Sequence, residues 1–92
     1  MYQISRETHH IAKQMGIDIK PSSVKNKKID VYKNGIKLAS IGDSRYMDYH
    51  LYKKKNGLDY ANQRKKLYVI RHKNDISKIE SPGYFAYKLL WT

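Results

Sequence analysis

Apolar residues recur every three to four positions at the start of the chain, at Ile4, Ile11 and Met15 with Thr8 on the same face. This spacing predicts a helix. Ser5 can cap it with a hydroxyl offered to the free amides of the first turn, and Gly16 stands where a helix ends in the left-handed conformation. Residues 17–27, with Pro21 and two serines, read as a linker carrying a short extended piece at Ile17–Lys20. The pattern then changes to two β-rich runs, Lys28–Lys33 and Ile36–Ile41, joined by Asn34-Gly35. An Asn-Gly pair between such runs predicts a β-hairpin, because its turn needs positive φ at both central residues. In that register Val31 faces Leu38, with Ile29 on the same face, while Tyr32 and Lys37 face the other way. Gly42 is expected to end the strand.

Beyond Gly42 the pattern is helical again. Asp43 or Ser44 is the expected cap of a helix containing Tyr46, Tyr49, Leu51 and Tyr52, stopped near Asn56-Gly57. Leu58 to about His72 forms a second helix, rich in good helix formers, which Asn74 and Asp75 loosen. Ser81-Pro82 supplies a cap and a proline at the first helical position, opening a last helix through Tyr84, Phe85, Tyr87, Leu89 and Trp91. The expected fold is α+β: a small single domain in which one Asn-Gly β-hairpin packs with three to four short helices. Residues 1–20 are expected as an N-terminal helical arm, 21–27 as a linker and 28–92 as a basic α+β domain.

Composition sharpens this picture. The 92 residues suit one domain with one small core. No apolar run approaches the ~20 residues of a membrane span, and the opening MYQISRETHH lacks the apolar region of a signal peptide. The chain has no cysteine, which removes disulfides, thiolate metal sites and a cysteine nucleophile. Nineteen Lys and Arg against eight Asp and Glu give a net charge of +11. The excess is not a tail, since residues 21–42 carry net +4 and 58–75 net +3, whereas 1–20 and 76–92 carry only +1 each. A folded surface so charged seeks a polyanion.

One helix adds detail. At 100° per residue Tyr60, Arg64, Tyr68 and Arg71 fall within an arc of about 80°. Lys65, Lys66 and Asn62 take other faces. Two readings compete for the arginines. In the first they lie over the tyrosines and pair with Asp43, Asp48 or Glu80 as structural groups. In the second, Arg for phosphate and Tyr for bases form a ligand face. Lys53-Lys54-Lys55 reads either as a solvated helix end or as a phosphate contact, and so does the run Lys25, Lys27, Lys28. The expected nucleic-acid-binding residues are Lys33, Lys37, Lys53, Lys54, Lys55, Arg64, Lys65, Tyr68, Arg71, His72 and Lys73.

Catalytic chemistry finds little support in the pattern. His9 and His10 are neighbours on a helix and point about 100° apart, a poor pair for one metal. His50 and His72 stand alone, no glycine-rich phosphate loop is present, and the acids are scattered. A small metal-dependent nuclease requires Asp43, Asp48 and His72 to converge. No catalytic residue, metal ligand or cofactor is assigned. Trp91 is expected to plug the core.

Three segments also carry a resemblance: Gly42-Asp43-Ser44-Arg45-Tyr46-Met47-Asp48-Tyr49, Arg64-Lys65-Lys66-Leu67-Tyr68-Val69-Ile70-Arg71-His72-Lys73, and Gly83-Tyr84-Phe85-Ala86-Tyr87-Lys88-Leu89-Leu90-Trp91. In this order they resemble a family of small basic proteins of large double-stranded DNA viruses, including giant viruses of algae and amoebae, and of phage-like relatives. The similarity spans about Lys28 to Trp91 and leaves residues 1–20 unmatched. It implies a viral accessory or virion protein and implies no mechanism. The expected function is therefore non-catalytic, non-specific binding of nucleic acid, DNA ahead of RNA, through phosphate contacts. A virion structural role, as a minor capsid or scaffold component meeting capsid proteins, is the alternative. Neither a membrane nor a small-molecule substrate is expected as a partner. The expected location is the host cell interior, cytoplasm or nucleus, and the virion.

Overall fold

The computed structural model describes residues 2–92. Ser5 and Gly16 bracket helix α1 (Arg6–Met15): the Ser5 hydroxyl accepts from the Thr8 amide, and Gly16 turns left-handed at φ 73°. The chain then enters a three-stranded antiparallel sheet in the order β1 (Asp18–Pro21), β2 (Lys27–Lys33), β3 (Ile36–Asp43). Five helices in all join this sheet among the described residues: after α1 come α2 (Tyr49–Asn56), α3 (Leu58–Arg71), the short α4 (Lys73–Ile76) and α5 (Pro82–Leu90). The fold is a small α+β domain, and none of its helices is long and apolar enough to cross a membrane.

The described part of the expected N-terminal arm, residues 2–20, is docked on the rest of the domain. Asp18–Pro21 pairs with β2 along Tyr32 to Ile29, and Ala12 and Ile17 lie in the same buried cluster as Ile29, Val31, Ala39, Ile41, Phe85, Leu89 and Leu90. The buried Thr8 hydroxyl donates to the Leu89 carbonyl at 2.9 Å, satisfying an acceptor in the last turn of α5. The short extended piece expected at Ile17–Lys20 is an edge strand, shifted by one residue to Asp18–Pro21. Pro21 is tolerated there because an edge strand leaves one row of amides unpaired.

Strands β2 and β3 turn through Asn34 and Gly35, both at positive φ (53° and 80°). Tyr32 lies opposite Lys37, but the next partner of Val31 is Ala39 and not the expected Leu38. A bulge at this point leaves Leu38 out of the ladder and exposed. The reason is packing: shifting β3 by one residue brings Ala39 and Ile41 onto the Ile29–Val31 face, where α5 covers them. Burial of Phe85, Leu89 and Leu90 on that face contributes about 1.5–3 kcal/mol per side chain.

The expected cap of α2 is also displaced. Asp43 is tied to Arg45 by two side-chain bonds, at 3.0 and 2.8 Å, and the chain turns at Ser44 and Arg45 and runs irregularly to Asp48. Asp48 caps the helix, accepting from the Leu51 amide at 3.2 Å. Ser81 does cap α5, with its hydroxyl accepting from the Tyr84 amide. Gly42 does not end β3, which runs on to Asp43.

Two charges lie inside this frame. Lys28 and Asp48 are only 3% and 2% exposed, and their Nζ and Oδ2 atoms are 3.7 Å apart. The Tyr2 hydroxyl donates to the same carboxylate. Burial lowers the Lys28 ammonium below its ordinary pKa, against the opposing pull of Asp48 and Asp43. On the sheet, buried Asp30 accepts from Ser40 at 2.6 Å and meets Lys37 at 3.6 Å. Burial works to raise the Asp30 pKa, but bonds from Ser22 and Ser40 and the charge of Lys37 outweigh it and hold the carboxyl below its ordinary value.

Candidate functional site

The end of β3, the C-terminal half of α3 and the length of α5 surround a cleft of about 440 Å³. Strand β3 brings Ser40 to Asp43, α3 brings Arg64, Tyr68 and Arg71 with His72 at its end, and α5 brings Gly83, Ala86, Leu90 and Trp91. Lys27 and Lys28 close it from β2, and Tyr46, Met47 and Tyr52 from the turn and α2. Residues 42–47, 64–72 and 83–91, far apart in sequence, thus supply three walls of one cleft.

Two glycines permit this approach. Gly42 sits at φ +78°, and a Cβ there would lie 2.7 Å from Leu90 Cδ1 and 3.1 Å from Lys28 Cδ. Only glycine lets the strand end meet the last turn of α5 so closely. At Gly83 a Cβ would stand 2.5 Å from that of Asp75, so its absence lets α4 close against the start of α5.

The aromatic wall is a column. Trp91 stacks on Tyr68 with centroids 4.6 Å apart and planes 13° from parallel, and Tyr68 stacks in turn on His72 at 4.4 Å. Tyr52 leans on Trp91 at 6.1 Å and on Tyr60 at 5.6 Å. Such pairs add about 0.5–1.5 kcal/mol each beyond their burial, so the wall is preformed. Burial, helped by the charge of Asp75, raises the Tyr68 phenol above its ordinary pKa and keeps it a neutral donor. Trp91 departs from its expected role as a core plug: it is only partly buried and lines the cleft. It packs against the core from outside, because Phe85, Leu89 and Leu90 already fill the space over the sheet.

The charged wall holds the two arginines of the α3 stripe, and the acids named as their structural partners lie elsewhere. Each acid that was a candidate structural partner is engaged elsewhere: Asp43 by Arg45, Asp48 by Lys28 and Tyr2, and Glu80 by Lys33 at 3.4 Å. Among the described residues Arg64 and Arg71 form no ion pair. Arg64 lays its guanidinium carbon 5.4 Å from the Tyr52 ring centre, and its buried Nε–H has no acceptor. The one acid on the lining, Asp43, is neutralised by Arg45, whose bonds hold its carboxyl at a pKa of about 2.

Of the expected nucleic-acid-binding residues, Arg64, Tyr68, Arg71 and His72 meet in the cleft. Lys33 and Lys37 lie on the hairpin and are paired with Glu80 and Asp30. Lys53, Lys54 and Lys55 occupy the exposed last turn of α2. Lys65 points to the rings of Tyr49 and Tyr87, at 5.5 and 5.8 Å, and Lys73 is exposed on α4; neither lines the cleft. Lys27, Tyr46, Tyr52 and Trp91 are lining residues that the sequence did not assign to a site. Asp43 and His72 both line the cleft while Asp48 does not, and each is paired separately, with Arg45, Asp75 and Lys28 respectively. No group of three or more His, Asp or Glu suited to a metal ion occurs among the described residues.

No protein-family model, curated protein or solved structure matches this chain.

Proposed function

We propose that this protein binds nucleic acid, DNA in the first place, through phosphate contacts centred on the cleft and without catalysis. The observation that carries this reading is a pair of arginines, Arg64 and Arg71, left without acidic partners beside a preformed aromatic column. Guanidinium groups bond phosphate oxygens in parallel pairs, and ring faces accept any base, which gives affinity with little sequence preference. The net charge of +11 adds long-range attraction, and the exposed lysines of α2 extend the contact along a backbone. On this reading the protein works in the cytoplasm or nucleus of the host cell and enters the virion with the genome.

Salt dependence is the test. Each phosphate neutralised on a single strand contributes about −0.7 to the slope of log affinity against log salt. With roughly three to five contacts, binding of a short single-stranded DNA falls about 20- to 100-fold between ~50 and ~200 mM salt. Undetectable binding at the lower salt, or an affinity that stays within a factor of about two, overturns the proposal.

A further inference from the structure

The cleft is too small to take in a duplex. Its 440 Å³ lies within the roughly 300–1,000 Å³ of pockets that enclose a single small ligand. In a duplex the bases are stacked inward, so only phosphates could reach the rim and the aromatic column would stay unused. An unpaired nucleotide can present both its parts: a ring for the Trp91–Tyr68–His72 wall and a phosphate for the basic wall. The basic wall is also over-provided for one backbone phosphate. A diester carries a single negative charge, whereas Lys27, Arg64 and Arg71 line the cleft with no ion-pair partner among the described residues. A phosphate monoester brings close to two charges and three free oxygens, enough to engage the guanidinium groups of both arginines. It also needs only one exit for the rest of the strand.

Resting on the nucleic-acid reading above, we infer that the cleft is an end-recognition site: it holds the terminal nucleotide of a single strand with its phosphate monoester on Arg64 and Arg71. The protein then discriminates phosphorylated from hydroxyl ends.

The chain has one tryptophan, Trp91, so its fluorescence reports on the cleft alone. Decathymidylate is titrated with a phosphate at the 5′ end, with a phosphate at the 3′ end, and with hydroxyls at both, alongside the 5′-phosphorylated duplex. One phosphorylated single strand is expected to bind about tenfold or more tighter than the hydroxyl-ended one and to quench Trp91, the duplex less so. The thymidine monophosphate that carries its phosphate at the preferred end competes for the signal, and thymidine does not. In Arg64→Lys, which keeps the charge but loses the planar fork, the ratio between phosphorylated and hydroxyl ends collapses toward one while thermal melting shows a folded protein. Equal binding of all strands, duplex included, overturns end recognition and leaves the general function standing. Absence of binding by every strand at low salt removes both.

Discussion

Replacing Asp48 with alanine is expected to destabilise the fold by about 3–5 kcal/mol, the cost of leaving a buried charge without its partner. This one carboxylate carries three duties. It faces the buried Lys28 ammonium at 3.7 Å, accepts from the Tyr2 hydroxyl, and caps α2 through the Leu51 amide. A domain of this size holds only about 5–15 kcal/mol in total, so the variant stands close to unfolding at physiological temperature. The measurement is urea unfolding followed by circular dichroism. Adding Lys28→Met to Asp48→Ala is expected to restore about 1–2 kcal/mol, because no lone charge is then buried and only the cap and the Tyr2 bond remain lost. A double variant no more stable than Asp48→Ala alone would show that the ion pair is incidental to the loss.

The largest functional effect is expected from Arg64→Ala with Arg71→Ala. Bonds to charged groups contribute about 1.5–3 kcal/mol each, so removing both arginines weakens binding of single-stranded DNA by at least about 100-fold. Stability changes little by comparison: Arg71 is exposed, and Arg64 has an Nε–H that nothing in the fold satisfies. The control is Lys33→Ala with Lys37→Ala, which removes the same formal charge from the hairpin. Those lysines are already paired with Glu80 and Asp30, and their loss is expected to cost less than about tenfold. Equal losses from the two double variants would mean that charge alone, and not the cleft, governs binding.

Local chemistry was legible in the sequence wherever a residue acts on its immediate neighbours. Ser5, Gly16 and Ser81 mark their helix ends by hydrogen bonds and backbone geometry that span only a few residues. What could not be read was set by distant partners. The bulge at Leu38 exists because α5 arrives some fifty residues later to cover Ala39 and Ile41. Asp48 takes the cap of α2 in place of Asp43 because Arg45 claims the latter and buried Lys28 holds the former. The stripe of Tyr60, Arg64, Tyr68 and Arg71 was visible as a helical face, but its meaning depended on where the acids went. Trp91 does pack against the core, but only the assembled fold shows Tyr68 stacked on it beside an open cleft.

The central claim, that nucleic acid enters the cleft, is tested most directly by two-dimensional ¹H–¹⁵N NMR during titration with single-stranded decathymidylate. The largest shifts are expected at the Trp91 indole N–H, the Arg64 Nε–H and the amides of Tyr68, Arg71 and His72, with α1 and β1 unmoved. Shifts centred on Lys33, Lys37 and Lys53 to Lys55, with Trp91 and Arg64 unchanged, would contradict the account.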